Sequence, residues 1–343
     1  MLAYIVRRLL LMIAVVFGAT VLLFGIMMTF SPERRAAVYI NSPQQAQDLP
    51  KIVKLYGLDD PFYLQYFRWL KKISKGDFGY SSTAADTFWP AFWRYLPVSL
   101  ELNLFEAPLV IMLGVWLGTL SGIKHDSIVD HTIRFGAITF WSLPTFLFAL
   151  VLLMLFYGYL HVFPPGVLSD HFLQYILDNP DQFVRYTHMY TIDGILNGRL
   201  DIALDAFNHL VLPLTTSVLV LVAMVVRVMR STMIEEISKD YIITAVAKGA
   251  DEKTVYYKHA RRNAMIPVVT MTGLIVAFLI QGNIEVEYVF NRKGIGFWLA
   301  NAAIQLDIPA LMGLIIIISV VFVTVNLIVD LICAYIDPRI RLE

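Results

Sequence analysis

From Leu9 to Phe30 the chain runs for twenty-two residues without a charge, directly after Arg7 and Arg8. In a helix that rises ~1.5 Å per residue this run covers roughly 33 Å, the depth of a bilayer core. No water is available there to satisfy N–H and C=O groups, so the run must close its own hydrogen bonds as a helix. A cleaved secretory signal is the competing assignment. The run is too long for one, and no small-residue cleavage site precedes Pro32-Glu33. It is expected to be a first transmembrane helix with the N-terminus inside.

Comparable runs recur at 97–123, 135–159, 209–226, 266–284 and 311–335, which makes six spans with both termini cytoplasmic. Composition agrees: the chain is 58% hydrophobic and 16% charged, with a mean hydropathy of +0.65, values foreign to a soluble domain. The zero net charge says nothing about partners until the charges are mapped. Arg7, Arg8, Lys124, Arg134, Arg339 and Arg341 fall in short inside segments, and eight more Lys/Arg lie between Arg227 and Arg262. The nine Lys/Arg of the external segment 31–96 do not weigh against this orientation, because the positive-inside bias is informative only for loops up to about 60 residues. The expected fold is an all-α integral membrane protein with a first helix (1–30), an external amphipathic segment (31–96) and a five-helix core (97–343). The core carries an external cap (161–208) and a cytoplasmic loop (227–265). The single cysteine, Cys333, lies in an apolar run, so neither a disulfide framework nor a paired-cysteine metal site is expected.

The external segment has Tyr63, Tyr66, Phe67 and Leu70 at helical spacing and then a Gly76-Asp77-Phe78-Gly79 turn. This reads as an amphipathic helix at the outer surface, with simple interface anchoring as the alternative for its aromatics. The second external segment holds Pro164-Pro165-Gly166 and Asn179-Pro180 and has little periodicity beyond Phe172–Leu177. It is either a cap over the outer mouth, touching a delivery protein, or a tolerated surface insertion.

Within the spans, Ser142-Leu143-Pro144-Thr145 is expected to break a helix partway across, as a kink lining the pathway or a static one. Gln281, Asn283, Glu285 and Glu287 form a polar group at the outer end of the fifth span, where such groups face a bundle interior or water. Ser142, Pro144, Gln281, Asn283 and Glu285 are the pathway candidates. Asn326 and Asp330 share a face of the last span and are expected to bond helix to helix.

The most informative polar stretch is DYIITAVAKGADEKTVYYKHARRNAMIP, Asp240 to Pro267. It reads as a short helix from Tyr241 to Lys248, a left-handed corner at Gly249, and a second helix from Glu252 to Ala264 with Asp251 as its N-cap. Val255, Tyr256, His259 and Asn263 share a face of the second helix. From spacing alone this is either a docking surface for another protein or an ordinary solvated loop.

The stretch resembles the cytoplasmic EAA loop of permease subunits of ATP-binding-cassette importers, in the dipeptide and oligopeptide branch. The D-Y-x-x-T-A-x-A-K-G core of that branch is met by Asp240, Tyr241, Thr244, Ala245, Ala247, Lys248 and Gly249. The following R-H-A-x-R-N-A-x-I-P run is met by His259, Ala260, Arg262, Asn263, Ala264, Ile266 and Pro267, with Lys258 replacing the leading arginine. The broader motif's Glu-Ala is Ile243-Thr244 here, and its I-x-L-P is His259-Ala260-Arg261-Arg262, departures usual in the peptide branch. The segment from Gly57 to Ser81 is similar to the family's L-G-L-D-x-P…Q-Y…W-L…G-D-F-G-x-S signature. Asn326 to Arg339 resembles its N-L-x-V-D…D-P-R ending. Gly282 and Glu287 match the family's small residue and single glutamate, so Glu285 is a departure and a candidate for substrate-dependent tuning.

The resemblance covers nearly the whole chain except 161–208, which is longer than the family leads one to expect. It implies a type I ABC importer permease fold and a place as one of two permease subunits in a prokaryotic cytoplasmic (inner) membrane. Two ATP-binding subunits would dock from inside, and an external solute-binding protein would deliver substrate. Family members handle di- and oligopeptides, nickel chelates and, in some thermophiles, oligosaccharides. The ATPase-coupling residues it implies are Asp240, Tyr241, Thr244, Ala245, Lys248, Gly249, His259 and Arg262.

Several chemistries are excluded by what the chain lacks. It has no G-x-x-x-x-G-K-[ST] phosphate loop and no Gly-Lys dipeptide at all. Its seven histidines are scattered without metal-ligand spacing, and no G-x-S-x-G elbow occurs. No enzyme activity, cofactor, metal or nucleic-acid partner is expected. A secondary transporter or channel subunit not driven by ATP is the alternative, but inverted repeats with broken helices in matching halves are not found. A membrane-bound enzyme would need ionisable groups gathered at one depth, which only Gln281–Glu287 approaches.

Overall fold

The computed structural model of the chain describes residues 2–36 and 49–336. Five helices there are long and apolar enough to cross a membrane, and a bent helix pair makes a sixth crossing when taken as one span. The number of spans agrees with the sequence; several of their limits do not. Asp337, Pro338, Arg339 and Arg341, and the side chains of Arg8, Asp330 and Cys333, lie outside the described residues. The chain divides into two compact units, Met1–Leu96 with Trp298–Val323, and Pro97–Phe297 with Thr324–Glu343.

In the first unit α1 (Leu2–Met28) is followed by α2 (Pro32–Ala36), α3 (Leu49–Tyr56) and α4 (Phe62–Ile73). The expected amphipathic helix is α4, and the structure divides its aromatics between a packed and an exposed side. Tyr66 is buried with Phe24 and Met312, and Phe62, Trp69 and Leu70 pack around them. Tyr63 and Phe67 instead are 58% and 65% exposed. The stripe that packs on α1 therefore runs Phe62, Tyr66, Trp69, at i, i+4 and i+7. The Tyr66 hydroxyl meets Thr20 Oγ1 at 2.9 Å. The glycine turn is closed by Asp77, whose Oδ1 accepts from Gly79 N at 3.0 Å. Next, β1 (Tyr80–Ser81) pairs antiparallel with β2 (Asp86–Thr87), Tyr80 opposite Thr87. The buried Asp307 carboxylate holds their connection, accepting from Ser81 Oγ (2.6 Å), Thr83 N (2.9 Å) and Thr83 Oγ1 (2.7 Å).

The second span, α5 (Phe88–Ile123), starts at Phe88 and not at the expected Pro97, because the buried rings of Phe88 and Phe92 extend the helix. In the second unit α6 (Ile128–Ser142) and α7 (Thr145–Leu152) meet at a 99° bend. The bend falls at the expected Leu143-Pro144. Leu143 is extended (φ −80°, ψ 130°), the conformation that a following proline ring imposes. Beyond α7 the chain widens into a π-helix, Leu153–Tyr159.

The segment 161–208 is ordered around a small core of its own. Helices α8 (Asp170–Asp178) and α9 (Tyr190–Leu196) accompany buried Leu168, Ile176, Phe183, Ile202 and Ala206. The last two belong to α10 (Leu200–Ile237), which replaces the expected span 209–226 and absorbs the first part of the loop begun at Arg227. Polar residues beyond the bilayer leave no hydropathy signal, so a helix that continues into water escapes that criterion.

α10 is the hub of this unit, with 67% of its most apolar window buried. It packs on α6, α7 and α9, and on α12 (Arg261–Ile280). Against α5 it forms a closer seam. Gly114, Gly118 and Gly122 face Val225, Met229 and Met233, and a methyl group at any of the three glycines would come within 3.0 Å of its partner. Spacing small residues four apart lets two spans approach this closely.

Between α10 and α12 lies α11 (Asp240–Ala247), followed by a π-helical turn, Thr254–Ala260, that leads into α12 without a break. Pro267 sits inside α12, and the helix ends at Ile280, short of the expected limit at 284. After it come α13 (Ile284–Val289), α14 (Ile295–Gln305) and α15 (Ile308–Ile336). Asn326 Oδ1 in α15 is buried without a hydrogen-bond partner among the described residues.

Candidate functional site

α11 and the turn after it form the exposed corner that the sequence singled out. Gly249 has φ +81°, in the left-handed region that any side chain enters at a cost. Gly249 N donates to Val246 O at 2.9 Å and Ala250 N to Ala245 O at 3.1 Å. This pair of bonds is a Schellman cap, which satisfies carbonyls left open at the helix end. Two residues on, Asp251 Oδ2 accepts from Thr254 N at 3.4 Å. The hydrogen bonding to Thr254 lowers the Asp251 pKa. The corner thus has both features expected of it.

The second helix differs in winding and in face. Residues five apart align on a π-helix, so Val255 and Ala260 turn inward together, followed by Ala264 and Val268. With Ile242, Met229 and Met233 they form one buried cluster. Of the expected face only Val255 is fully buried; Tyr256 and His259 are half-buried and Asn263 is exposed.

A polar chain ties the corner to its neighbours. Lys239 Nζ donates to Glu236 Oε1 (2.5 Å), Tyr241 Oη donates to Glu236 Oε2 (2.6 Å), and Asn263 Nδ2 donates to Tyr241 Oη (3.1 Å). Burial first, then the bond to Glu236, raises the Tyr241 pKa; the bond to Glu236 raises that of Lys239. The end of α10, the start of α11 and the start of α12 are joined at one point.

Each expected coupling residue has a definite place. Asp240, Lys248 and Gly249 are exposed around the corner, and Ala245 packs on the cluster below. Thr244 Oγ1 turns back to donate to Asp240 O at 2.9 Å. His259 is half-buried in the π-turn, and Arg262 is exposed on α12.

The pathway candidates fall at two breaks. Ser142 and Pro144 are exposed at the α6–α7 bend, where Ser142 Oγ donates to Thr139 O at 2.9 Å. Gln281 follows the last residue of α12, and Asn283 caps α13, its Oδ1 accepting from Val286 N at 3.4 Å. The helices beyond the two breaks meet, since Val286 and Phe290 pack in one cluster with Ala149 and Leu152. The polar group at 281–287 is not a cluster: Glu285 points outward and Glu287 is fully buried. Glu287 accepts from Ser99 Oγ (2.7 Å) and Phe297 N (3.0 Å).

Other buried ionic groups escaped the sequence reading. Glu101 accepts from Thr191 N and Oγ1, both at 2.8 Å, and from Arg292 at 3.1 Å. Arg292 also donates to Gly166 O at 3.1 Å, so α5 is pinned to two points of the 161–208 segment, Gly166 and Thr191. Burial lowers the Arg292 pKa, and Glu101 opposes it. On α6, Asp130 is fully buried and accepts from Arg230 through both oxygens at 2.7 Å. Glu106 is fully buried with neither oxygen paired among the described residues. The available signal was an acidic residue inside an apolar run, which Glu101 and Glu106 both are.

Residues 111–342 match the family described as binding-protein-dependent transport system inner membrane component. Residues 1–102 match the corresponding N-terminal family, a binding-protein-dependent transport system membrane component. The chain is 34% identical to the dipeptide transport system permease protein DppB of Alkalihalophilus pseudofirmus over 99% of its own length and 100% of that protein. It is 33% identical to the oligopeptide transport system permease protein AppB of Bacillus subtilis, over 99% and 100%. With the probable D,D-dipeptide transport system permease protein DdpB of Escherichia coli it shares 36% identity over 83% and 82%.

Proposed function

The chain belongs to the family of binding-protein-dependent transport system inner membrane components, and from that premise we propose that it forms half of the translocation pathway of an ATP-driven peptide importer. It is a multi-pass membrane protein whose relatives are transport permeases and not enzymes. In the proposed complex a second permease subunit completes the pathway, two ATP-binding subunits dock on the cytoplasmic face, and an external binding protein delivers the solute. Both termini lie in the cytoplasm. Peptides are the proposed cargo because relatives matched end to end carry dipeptide and oligopeptide names.

The observation that carries the coupling reading is the Lys239–Glu236–Tyr241–Asn263 chain. A force applied to the exposed corner reaches α10 and α12 through these bonds and through the buried Ile242–Val255–Met233 packing. Asp240, Tyr241, Lys248 and Arg262 offer the contacts, and Gly249 sets the angle. Ser142, Pro144, Gln281, Asn283 and Glu285 mark two helix breaks that would open toward the pathway.

Reconstitution of the complete complex in proteoliposomes tests this. Loaded binding protein outside and ATP at the docking face should together give peptide uptake, and neither alone should suffice. Uptake driven by an ion gradient without ATP would make the chain a secondary transporter. The isolated chain should show no nucleotide-dependent thermal shift, because it lacks a phosphate loop.

A further inference from the structure

A cleft of about 880 Å³ opens between residues 111–119 of α5 and residues 257–269, which cover the end of the π-turn and the start of α12. Lys258, Arg261 and Arg262 line it with Thr119, Trp116 and Tyr257; the rest of the wall is apolar and includes Met112, Val115, Met265 and Val269. No carboxylate lines it. Arg261 lies over the Tyr257 ring, 5.7 Å from its centre. None of the three cations has an acidic partner among the described residues. Met112 and Trp116 are 68% and 61% exposed, so nothing among the described residues covers that part of the wall.

We propose that this cleft is a binding site for one anionic glycerophospholipid of the cytoplasmic leaflet. The inference rests on the orientation proposed above and goes beyond the coupling role.

The chemistry runs in one direction along the cleft. A phosphodiester carries the charge that Lys258 and Arg261 lack, Arg262 being also the contact offered to the ATP-binding subunit, and a guanidinium matches its geometry in a fork. Basic pockets between spans at the cytoplasmic side select anionic headgroups for this reason. Trp and Tyr are side chains that settle at headgroup depth, with one edge in lipid and one in water. Below them Met112 lies about 16 Å of helix rise from the end of α5 at Ile123, a depth that takes acyl methylenes. The volume is within the ordinary range of a ligand site. A second permease subunit seated here would strip water from three cations and would have to supply carboxylates in return. A lipid headgroup brings its own charge and stays hydrated.

The test uses the complete permease–ATPase complex in nanodiscs of phosphatidylcholine with graded phosphatidylglycerol. Lipids retained after detergent exchange are counted by native mass spectrometry. Wild-type complex should hold one more phosphatidylglycerol than Lys258→Gln/Arg261→Gln, with retention about fivefold weaker for each cation removed. Lys258→Arg should bind as wild type. Met112→Trp keeps every cation and fills the wall, so it should also lose the lipid; a merely basic surface would not respond to it. Inorganic phosphate should fail to displace the lipid, because it has no acyl chain to occupy the wall.

Equal retention by wild type and both variants would overturn the proposal. So would competition by inorganic phosphate at full strength. Efficient cross-linking of Met112→Cys to the second permease subunit in native membranes, unchanged by phosphatidylglycerol, would assign the cleft to protein contact. Lipid retention is read without transport, so a failure of the coupling reading leaves this measurement intact.

Discussion

Arg230 lays its guanidinium against both carboxylate oxygens of Asp130, at 2.7 Å each, and the Asp130 side chain is 0% exposed. Ser121 Oγ and Asp126 N donate to the same carboxylate, at 2.5 and 3.0 Å. One buried acid therefore joins the end of α5, the start of α6 and the lower part of α10. Removing the arginine leaves a buried carboxylate without its counter-charge, which typically costs about 3–5 kcal/mol. Arg230→Ala should lower the thermal midpoint of the purified chain sharply, and Asp130→Asn/Arg230→Gln should recover part of the loss. Equal midpoints for Arg230→Ala and wild type would show that the pair carries no stability.

A Cβ on Gly249 would meet no other described residue within 4 Å, so space is not its constraint. Its φ of +81° is. Gly249→Val should be strained by roughly 1 kcal/mol or more while the spans insert normally. ATP-driven uptake should be lost, with ATPase subunits either absent from the purified complex or unresponsive to loaded binding protein. Gly249→Asn should be milder, because asparagine tolerates the left-handed region. The control is Gly282→Val, where a Cβ meets Gly296 N and Glu287. That variant should harm packing and leave ATPase docking intact. Normal uptake by Gly249→Val would remove the corner from the mechanism.

Tyr241→Phe deletes the hydroxyl that both accepts from Asn263 and donates to Glu236. A half-exposed hydrogen bond contributes about 1 kcal/mol or less, so global stability should barely change. Amide exchange within α11 should speed up several-fold, and stimulation of ATP hydrolysis should fall. Unchanged exchange would mean that the chain of polar contacts does not hold α11.

Leu177 and Tyr186 are 74% and 62% exposed in the 161–208 segment. Cysteines at these positions, in a Cys333→Ala background, should react with an impermeant maleimide added outside the cell. Labelling only after the cytoplasmic face is opened would reverse the proposed orientation.

Gly118→Leu should overpack the α5–α10 seam and destabilise the chain by about 1–3 kcal/mol. Gly136→Leu is the control, since no described residue lies within 4 Å of a Cβ there. Similar midpoints for the two variants would show that the seam is not a close contact in solution.

The features legible in the sequence are local ones. The α1 run, the Pro144 bend and the Gly249 corner each follow from residues within a few positions of one another, so spacing and turn chemistry suffice to find them. Asp130 and Arg230 are 100 residues apart, and Glu101 and Arg292 are 191 apart. No periodicity links such partners, and only folding brings them together. The inward face of the π-turn was missed for another reason: its residues align five apart, and an α-helical count places Val255 with His259 where the structure places it with Ala260. The aromatics of α4 divide between two roles, Tyr66 packed and Tyr63 and Phe67 exposed, and spacing does not separate them because aromatics at an interface are equally at home in both.

The glycine seam between α5 and α10 behaves as a detent. Three side chains of α10 sit in three notches of α5, one notch every four residues, which is about 6 Å of helix rise. A slide shorter than a notch drives Val225, Met229 and Met233 together into helix backbone. Along these three notches the two helices are keyed against sliding, and the register of Gly114, Gly118 and Gly122 on Val225, Met229 and Met233 is fixed by backbone and not by side-chain choice.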